Sequence, residues 1–158
     1  MKILGIDPGL GRMGWGIIVA HKGELVSQGF GCIETEPKSD IPGRLHALHD
    51  EVCRIIDEYQ PDVLSIEDLF FAKNVATAFS VGQARGVVLL AASQKNIPVV
   101  VFTPLQVKSA VTGYGKADKK QVGQMVKVQL RLQEVPTPDD TADALAIAIT
   151  CAVSKTYA

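Results

Sequence analysis

Residues 2–20 read K-I-L-G-I-D-P-G-L-G-R-M-G-W-G-I-I-V-A, an apolar strand that ends on the carboxylate of Asp7 and runs into glycines. An aspartate left unpaired beside residues such as Ile3 and Ile6 costs several kcal/mol unless a cation meets it. A metal ion, or a cation that also holds phosphate, would satisfy this carboxylate. The alternative is that Asp7 opens an ordinary Asp-Pro-Gly turn. The other acids of the chain decide between these two interpretations.

The order of the predicted elements indicates one α/β domain over residues 1–158. Three strands with short connections are followed by an amphipathic helix, and a second helix separates the two later strands. This order predicts a five-stranded mixed sheet, with three antiparallel strands and then two parallel ones, flanked by helices. The predicted helices cover residues 42–59, 74–93, 105–111, 117–132 and 139–153.

Composition and charge indicate a globular protein with two oppositely charged parts. Apolar residues make up 47% of the chain, and the net charge is −1. The charge is −6 over residues 1–71, +8 over residues 72–133 and −3 over residues 134–158. Such segregation suits a protein that holds a polyanion with one part and metal cations with another. The longest apolar runs are far shorter than the roughly 20 residues of a membrane span, and no signal-like start is present. We therefore expect a cytoplasmic protein that makes no membrane contact.

Acidic residues at element ends predict a metal centre. Glu67 ends the fourth predicted strand, so it meets Asp7 if the first and fourth strands are neighbours. Asp140 and Asp143 are three residues apart and share one face of the last helix. Helix capping would explain Asp139 or Asp140, but it does not explain Asp143, which lies one turn further on. Two carboxylates about 4 Å apart repel by roughly 4 kcal/mol at an effective dielectric near 20. Four clustered acids therefore call for divalent cations, and oxygen ligands suit Mg²⁺ or Mn²⁺.

A pair of such ions can hold a phosphodiester and activate a water for hydrolysis of a nucleic-acid backbone. The basic residues Lys116, Lys120, Lys127 and Arg131 share a face of the predicted helix over residues 117–132, which favours phosphate contact over a solvated surface. Phe70 and Phe71 are followed by Lys73, and one of these two aromatic rings is a candidate for stacking on an unpaired base. The alternative is that both aromatic rings lie in the core.

Five segments together resemble the RuvC family of Holliday junction resolvases, within the ribonuclease H-like superfamily. They are G-I-D-P-G at 5–9, I-E-D-L-F-F-A-K-N at 66–74, G-Q-A-R-G at 82–86, G-Y-G-K-A-D-K-K-Q-V at 113–122 and D-T-A-D-A-L-A-I-A at 140–148. The resemblance implies a crossover junction endodeoxyribonuclease that binds four-way DNA and leaves 5′-phosphate and 3′-hydroxyl ends. It implies that the metal-binding catalytic acids are Asp7, Glu67, Asp140 and Asp143.

The same resemblance assigns DNA contacts and partners. Phe70 matches the family's base-stacking aromatic, and Lys108 and Lys119 match basic positions that the family uses on DNA. Lys73, Lys116 and Lys120 are further candidates from the residues alone. Paired nicks on two strands imply a two-fold homodimer, for which the small-residue helix over residues 74–93 is the candidate interface. The family works beside a branch-migration complex of RuvA and RuvB. We expect two Mg²⁺ ions per active site, with Mn²⁺ as a substitute.

Two other functions compete with this interpretation. The glycine-rich stretch after Asp7 also resembles the first phosphate loop of actin-like ATPases and sugar kinases, but 158 residues cannot supply their two lobes. A related ribonuclease H-like protein that acts on RNA, or a junction binder without nuclease activity, is the other candidate. The complete set of acids speaks against mere binding, because carboxylates repel phosphate.

Overall fold

The computed structural model describes residues 1–68 and 75–154. Its strands are β1 (Lys2–Asp7), β2 (Arg12–His21), β3 (Glu24–Glu34), β4 (Val63–Glu67) and β5 (Val99–Phe102). Its helices are α1 (Ile41–Tyr59), α2 (Val75–Gln94), α3 (Pro104–Thr112), α4 (Lys119–Gln129) and α5 (Asp139–Val153).

The five strands form one mixed sheet in the order β3-β2-β1-β4-β5. Strands β1, β2 and β3 pair antiparallel, whereas β4 pairs parallel with both β1 and β5. This arrangement confirms the sheet predicted from the sequence. Ile6 of β1 lies opposite Ile66 of β4. The residues that follow them, Asp7 and Glu67, therefore leave the sheet side by side at the carboxyl ends of neighbouring strands.

Helices cover both faces of the sheet because successive strand residues point to opposite sides. On one face Ile3 and Ile18 pack with α5, which contributes the fully buried Leu145. On the other face Leu4 and Ile17 pack with α1 and α2. The central strands β1 and β4 are thus buried on both sides, so a charged side chain can stand only at their ends.

Helix α2 is apolar on two opposite faces. Its residues Ala84, Val88, Ala91 and Ala92 are buried in the core that it shares with α1. The opposite face exposes Val75 (87%), Phe79 (69%) and Leu90 (52%). With 20 residues and a mean hydropathy of 1.4, α2 is the one helix of the described ranges that could cross a membrane, judged by length and composition only. Uninterrupted apolar runs in the sequence do not identify α2, because Gln83 and Arg85 interrupt its apolar residues.

Helix α4 is shorter than predicted, and this corrects the proposed basic face. Asp118 caps the helix by accepting a hydrogen bond from the backbone N–H of Gln121, whose side chain accepts one from the Asp118 N–H. This reciprocal cap starts the helix at Lys119. Lys116 therefore lies before the helix, and Arg131 lies beyond its end with a φ of 53°. The prediction that Lys116, Lys120, Lys127 and Arg131 share one helix face is wrong.

Candidate active site

Asp7 and Glu67 form the centre of an acidic cluster at the carboxyl ends of β1 and β4. The pKa of Asp7 is raised to about 8, first by burial and then by the negative charges of Asp143, Glu67 and Asp140. The pKa of Glu67 is also raised, first by burial and then by Asp143. The ionised form of both carboxyl groups is therefore unfavourable, because it is shielded from water and has too little positive charge nearby.

The remaining acids reach this cluster because α5 lies directly on the sheet. A methyl group at Gly14 would overlap the backbone oxygen of Asp140, and one at Gly5 would overlap the backbone oxygen of Ala144. Only glycine permits this approach of a helix to β1 and β2. The first turns of α5 are consequently fixed beside Asp7.

Asp139 and Asp140 have different surroundings in the structure. The Asp139 side chain is 58% exposed and pairs with Lys119, which lowers its pKa. The Asp140 side chain is 23% exposed, and its charge acts on Asp7. The Oδ2 atom of Asp140 lies 3.2 Å from Nε of Arg12, yet this buried oxygen has no hydrogen-bond partner within residues 1–68 and 75–154. This geometry favours Asp140 over Asp139 as the fourth acid of the cluster.

A cleft of about 250 Å³ lies beside these acids. Its polar lining consists of Asp7, Glu67, Asp143, Lys108 and Lys119. Lys119 Nζ donates hydrogen bonds to Asp143 Oδ2 at 2.9 Å and to Asp139 Oδ2 at 3.1 Å. The sequence indicated Lys119 only as a DNA contact, and its partners on α5 were not anticipated. The cleft thus combines oxygen ligands for a cation with ammonium groups that suit a phosphate.

The other predicted DNA contacts divide into two groups. Lys116 and Lys120 are exposed, and Lys120 lines a second groove of about 410 Å³ with Tyr114. Phe70 and Lys73 lie outside the described residues, as does Phe71.

The chemistry of the cluster fits divalent cations. Its donors are carboxylate oxygens, which Mg²⁺ and Mn²⁺ prefer. The raised pKa of Asp7 indicates a negative group that is short of a positive partner. The buried Oδ2 of Asp140 has Arg12 nearby but accepts no hydrogen bond within the described residues. In the described part of the chain, no three acidic, histidine or cysteine side chains are close enough together to enclose one ion. The acids therefore surround the cleft without converging on one point.

This chain is similar to known proteins over almost its whole length. A protein-family model described as the crossover junction endodeoxyribonuclease RuvC matches residues 3–151. RuvC of Brevibacillus brevis is 50% identical over 157 residues, which cover 99% of this chain and 95% of the relative. RuvC of Desulfitobacterium hafniense is 55% identical over 149 residues, which cover 94% of this chain and 90% of the relative.

Solved structures show the same similarity. Thermus thermophilus RuvC, in complex with a Holliday junction substrate, has a TM-score of 0.89 and 36% identity, with 95% of this chain and 92% of that chain covered. The yeast mitochondrial Holliday junction resolvase Ydc2 has a TM-score of 0.69 at 15% identity, covering 95% of this chain and 77% of that chain, and shares the fold. The architecture is therefore the ribonuclease H-like fold of these resolvases. The chain belongs to the RuvC family of crossover junction endodeoxyribonucleases.

Proposed function

We propose that residues 1–158 form one nuclease domain that resolves four-way DNA junctions by metal-dependent hydrolysis. The observation that carries this proposal is the acidic cleft, where carboxylates from β1, β4 and α5 lie beside two lysines. Family membership supports the junction as the substrate, because a relative at 36% identity is a RuvC in complex with a Holliday junction.

In this proposal Asp7, Glu67, Asp140 and Asp143 would hold two divalent ions. When bound, such ions would supply charge stabilisation at the phosphodiester and lower the pKa of an attacking water. Asp7 must give up its proton to act as a ligand, since its pKa in the protein without metal is about 8. Mg²⁺ is the proposed ion, and Mn²⁺ substitutes because it accepts the same oxygen ligands.

The lysines of the cleft orient the strand to be cut. Lys108 and Lys119 lower the pKa of Glu67, so both ammonium groups act electrostatically inside the acidic cluster. A scissile phosphate that enters the cleft would exchange its counterions for these groups. Phe70, Lys73, Lys116 and Lys120 remain the proposed contacts outside the cleft. Water attack then leaves 5′-phosphate and 3′-hydroxyl ends, as the family resemblance implies.

A two-fold homodimer would supply the second nick. One chain carries one acidic cleft, and a junction needs two cuts on strands of like polarity. The exposed apolar face of α2 supports an interface there, because Val75, Phe79 and Leu90 are spaced by 4 and 11 residues and so lie on one side of the helix. A complex with RuvA and RuvB in the cytoplasm, without membrane contact, completes the proposal.

A comparison of two DNA substrates tests this function. We expect the purified protein with Mg²⁺ to nick a synthetic four-way junction in two symmetric strands and to leave a linear duplex of the same sequence largely intact. The measurement is the rate of product formation on denaturing gels, with a chelator as the control. Equal nicking of both substrates, or preferential cleavage of RNA, would contradict junction resolution.

A further inference from the structure

Arg12 lies at the start of β2 and holds Asp140 with only part of its guanidinium group. Its Nε is the atom that approaches Asp140, and the side chain is 53% exposed. Within the described ranges, Arg12 forms an ion pair with Asp140, but neither of its Nη atoms donates a hydrogen bond to the protein. A guanidinium that is drawn to Asp140 by charge and remains half exposed presents N–H donors in a planar fork, a geometry that matches phosphate oxygens.

Arg44 on α1 is held more firmly, through a hydrogen bond from its Nε. Its Nε donates a 2.9 Å hydrogen bond to Oγ1 of Thr35, and the buried Thr35 hydroxyl donates to the carbonyl oxygen of Leu10 at 2.6 Å. The Nη2 atom lies 3.6 Å from the position that a methyl group on Gly11 would occupy. Arg44 is therefore held over the turn between β1 and β2, immediately before Arg12.

Arg54 is an example of an arginine whose ion pairs on the surface are purely structural. Arg54, also on α1, donates through Nε and both Nη atoms to Glu51 and Glu58 at distances between 2.7 and 3.0 Å. Its hydrogen-bonding capacity is largely used by carboxylates. Among the residues described, neither Arg12 nor Arg44 donates a hydrogen bond to a carboxylate, although Arg12 forms an ion pair with Asp140 and lies opposite Glu34 in the sheet.

We propose that Arg12 and Arg44 form a second phosphate-binding site for the junction backbone, which we call the arginine pair. The site rests on the proposed function and extends it to a part of the chain with an acidic overall charge. Strands β2 and β3 lie on one side of β1 in the sheet, whereas β4 and β5, which leads into Lys108, lie on the other. The arginine pair and the lysines of the cleft thus flank Asp7 on two sides. A DNA strand seated over the acids meets cations before and after the scissile phosphate.

The salt dependence of junction binding tests this site without using cleavage. Each phosphate contact that is lost lowers the slope of log K against log salt concentration by about 0.9. In a chelating buffer we expect the double variant Arg12→Gln/Arg44→Gln to bind the junction with a slope shallower by about 2 and with affinity reduced on the order of tenfold at about 0.1 M salt. The control Arg54→Gln, with one charge removed from the same helix as Arg44, should keep the wild-type slope to within about 0.3.

Lysine variants distinguish the effect of lost charge on the salt slope from the effect of unfolding. Arg12→Lys/Arg44→Lys should restore most of the slope, because the charges return without the fork. If loss of the Thr35 contact unfolds the double variant, Arg12→Gln alone must still lower the slope by about 1. An unchanged slope in Arg12→Gln and in the double variant would overturn the arginine pair while leaving junction resolution intact. Failure of the wild-type protein to bind the junction would instead overturn the proposed function.

Discussion

Replacing Asp7 with asparagine is expected to abolish junction cleavage and to leave junction binding at or slightly above the wild-type affinity. The asparagine amide keeps the size of the side chain but cannot supply the anionic oxygen that the proposed metal ions need. A loss of at least on the order of a thousandfold in cleavage rate is expected if Asp7 is the central metal ligand that we propose. Binding persists because Lys108, Lys119 and the exposed lysines are untouched.

The matched control for this variant is Asp139→Asn. Asp139 is also an acid near the cleft, but it is exposed and pairs with Lys119. We expect cleavage by this control to fall by less than about tenfold, as for an exposed ion pair worth at most about 1 kcal/mol. Cleavage at the wild-type rate by Asp7→Asn, or an equal loss in both variants, would contradict the assignment of Asp7. Single-turnover rates and junction affinities, measured on the same preparations, make the comparison.

Replacing Gly14 with alanine is expected to destabilise the protein and to remove its activity. The added methyl group would overlap the backbone oxygen of Asp140, so α5 would have to move away from β2. Backbone atoms cannot rotate aside as a flexible side chain can, and we expect a loss of about 3 kcal/mol or more in the free energy of unfolding. Denaturant unfolding monitored by circular dichroism measures this loss.

Gly11→Ala, in the turn just before β2, provides the matched control. A methyl group there would meet only Arg44 Nη2 at 3.6 Å, which is an ordinary contact. We expect its stability to stay within about 1 kcal/mol of wild type. Comparable stability of the Gly14→Ala and Gly11→Ala variants would show that α5 does not depend on close contact with β2.

Much of this fold could be predicted because local pattern and burial agree. The strand ending at Asp7 is apolar on both faces, as a central strand must be, and the helix that precedes β4 requires a parallel crossover. These two constraints place both acids at strand ends, and the pairing of β1 with β4, on which their proximity was conditional, comes from the structure. The choice of Asp140 over Asp139 came from the family motif, and the different surroundings of the two side chains agree with it.

Other features depend on contacts that no local pattern encodes. The capping residues Asp118 and Gln121 were visible in the sequence, but the spacing of the lysines outweighed them and the helix was predicted too long. Lys119 meets residues 20 and 24 positions later in the chain, so its pairing required the tertiary structure. Arg12 and Arg44 went unnoticed because the first 71 residues are acidic on average, and an average charge says nothing about individual partners.

Titration of Mn²⁺ into the metal-free protein at pH 7 tests the central claim most directly. Since the pKa of Asp7 is about 8, this carboxyl group is mostly protonated at pH 7, and a cation that binds it must displace the proton. Calorimetry in buffers of different ionisation enthalpy should therefore record Mn²⁺ binding with release of about one proton per chain. Asp7→Asn should lose both the proton release and most of the affinity. Equal Mn²⁺ binding by the two proteins, with no proton released, would contradict a metal centre built on Asp7.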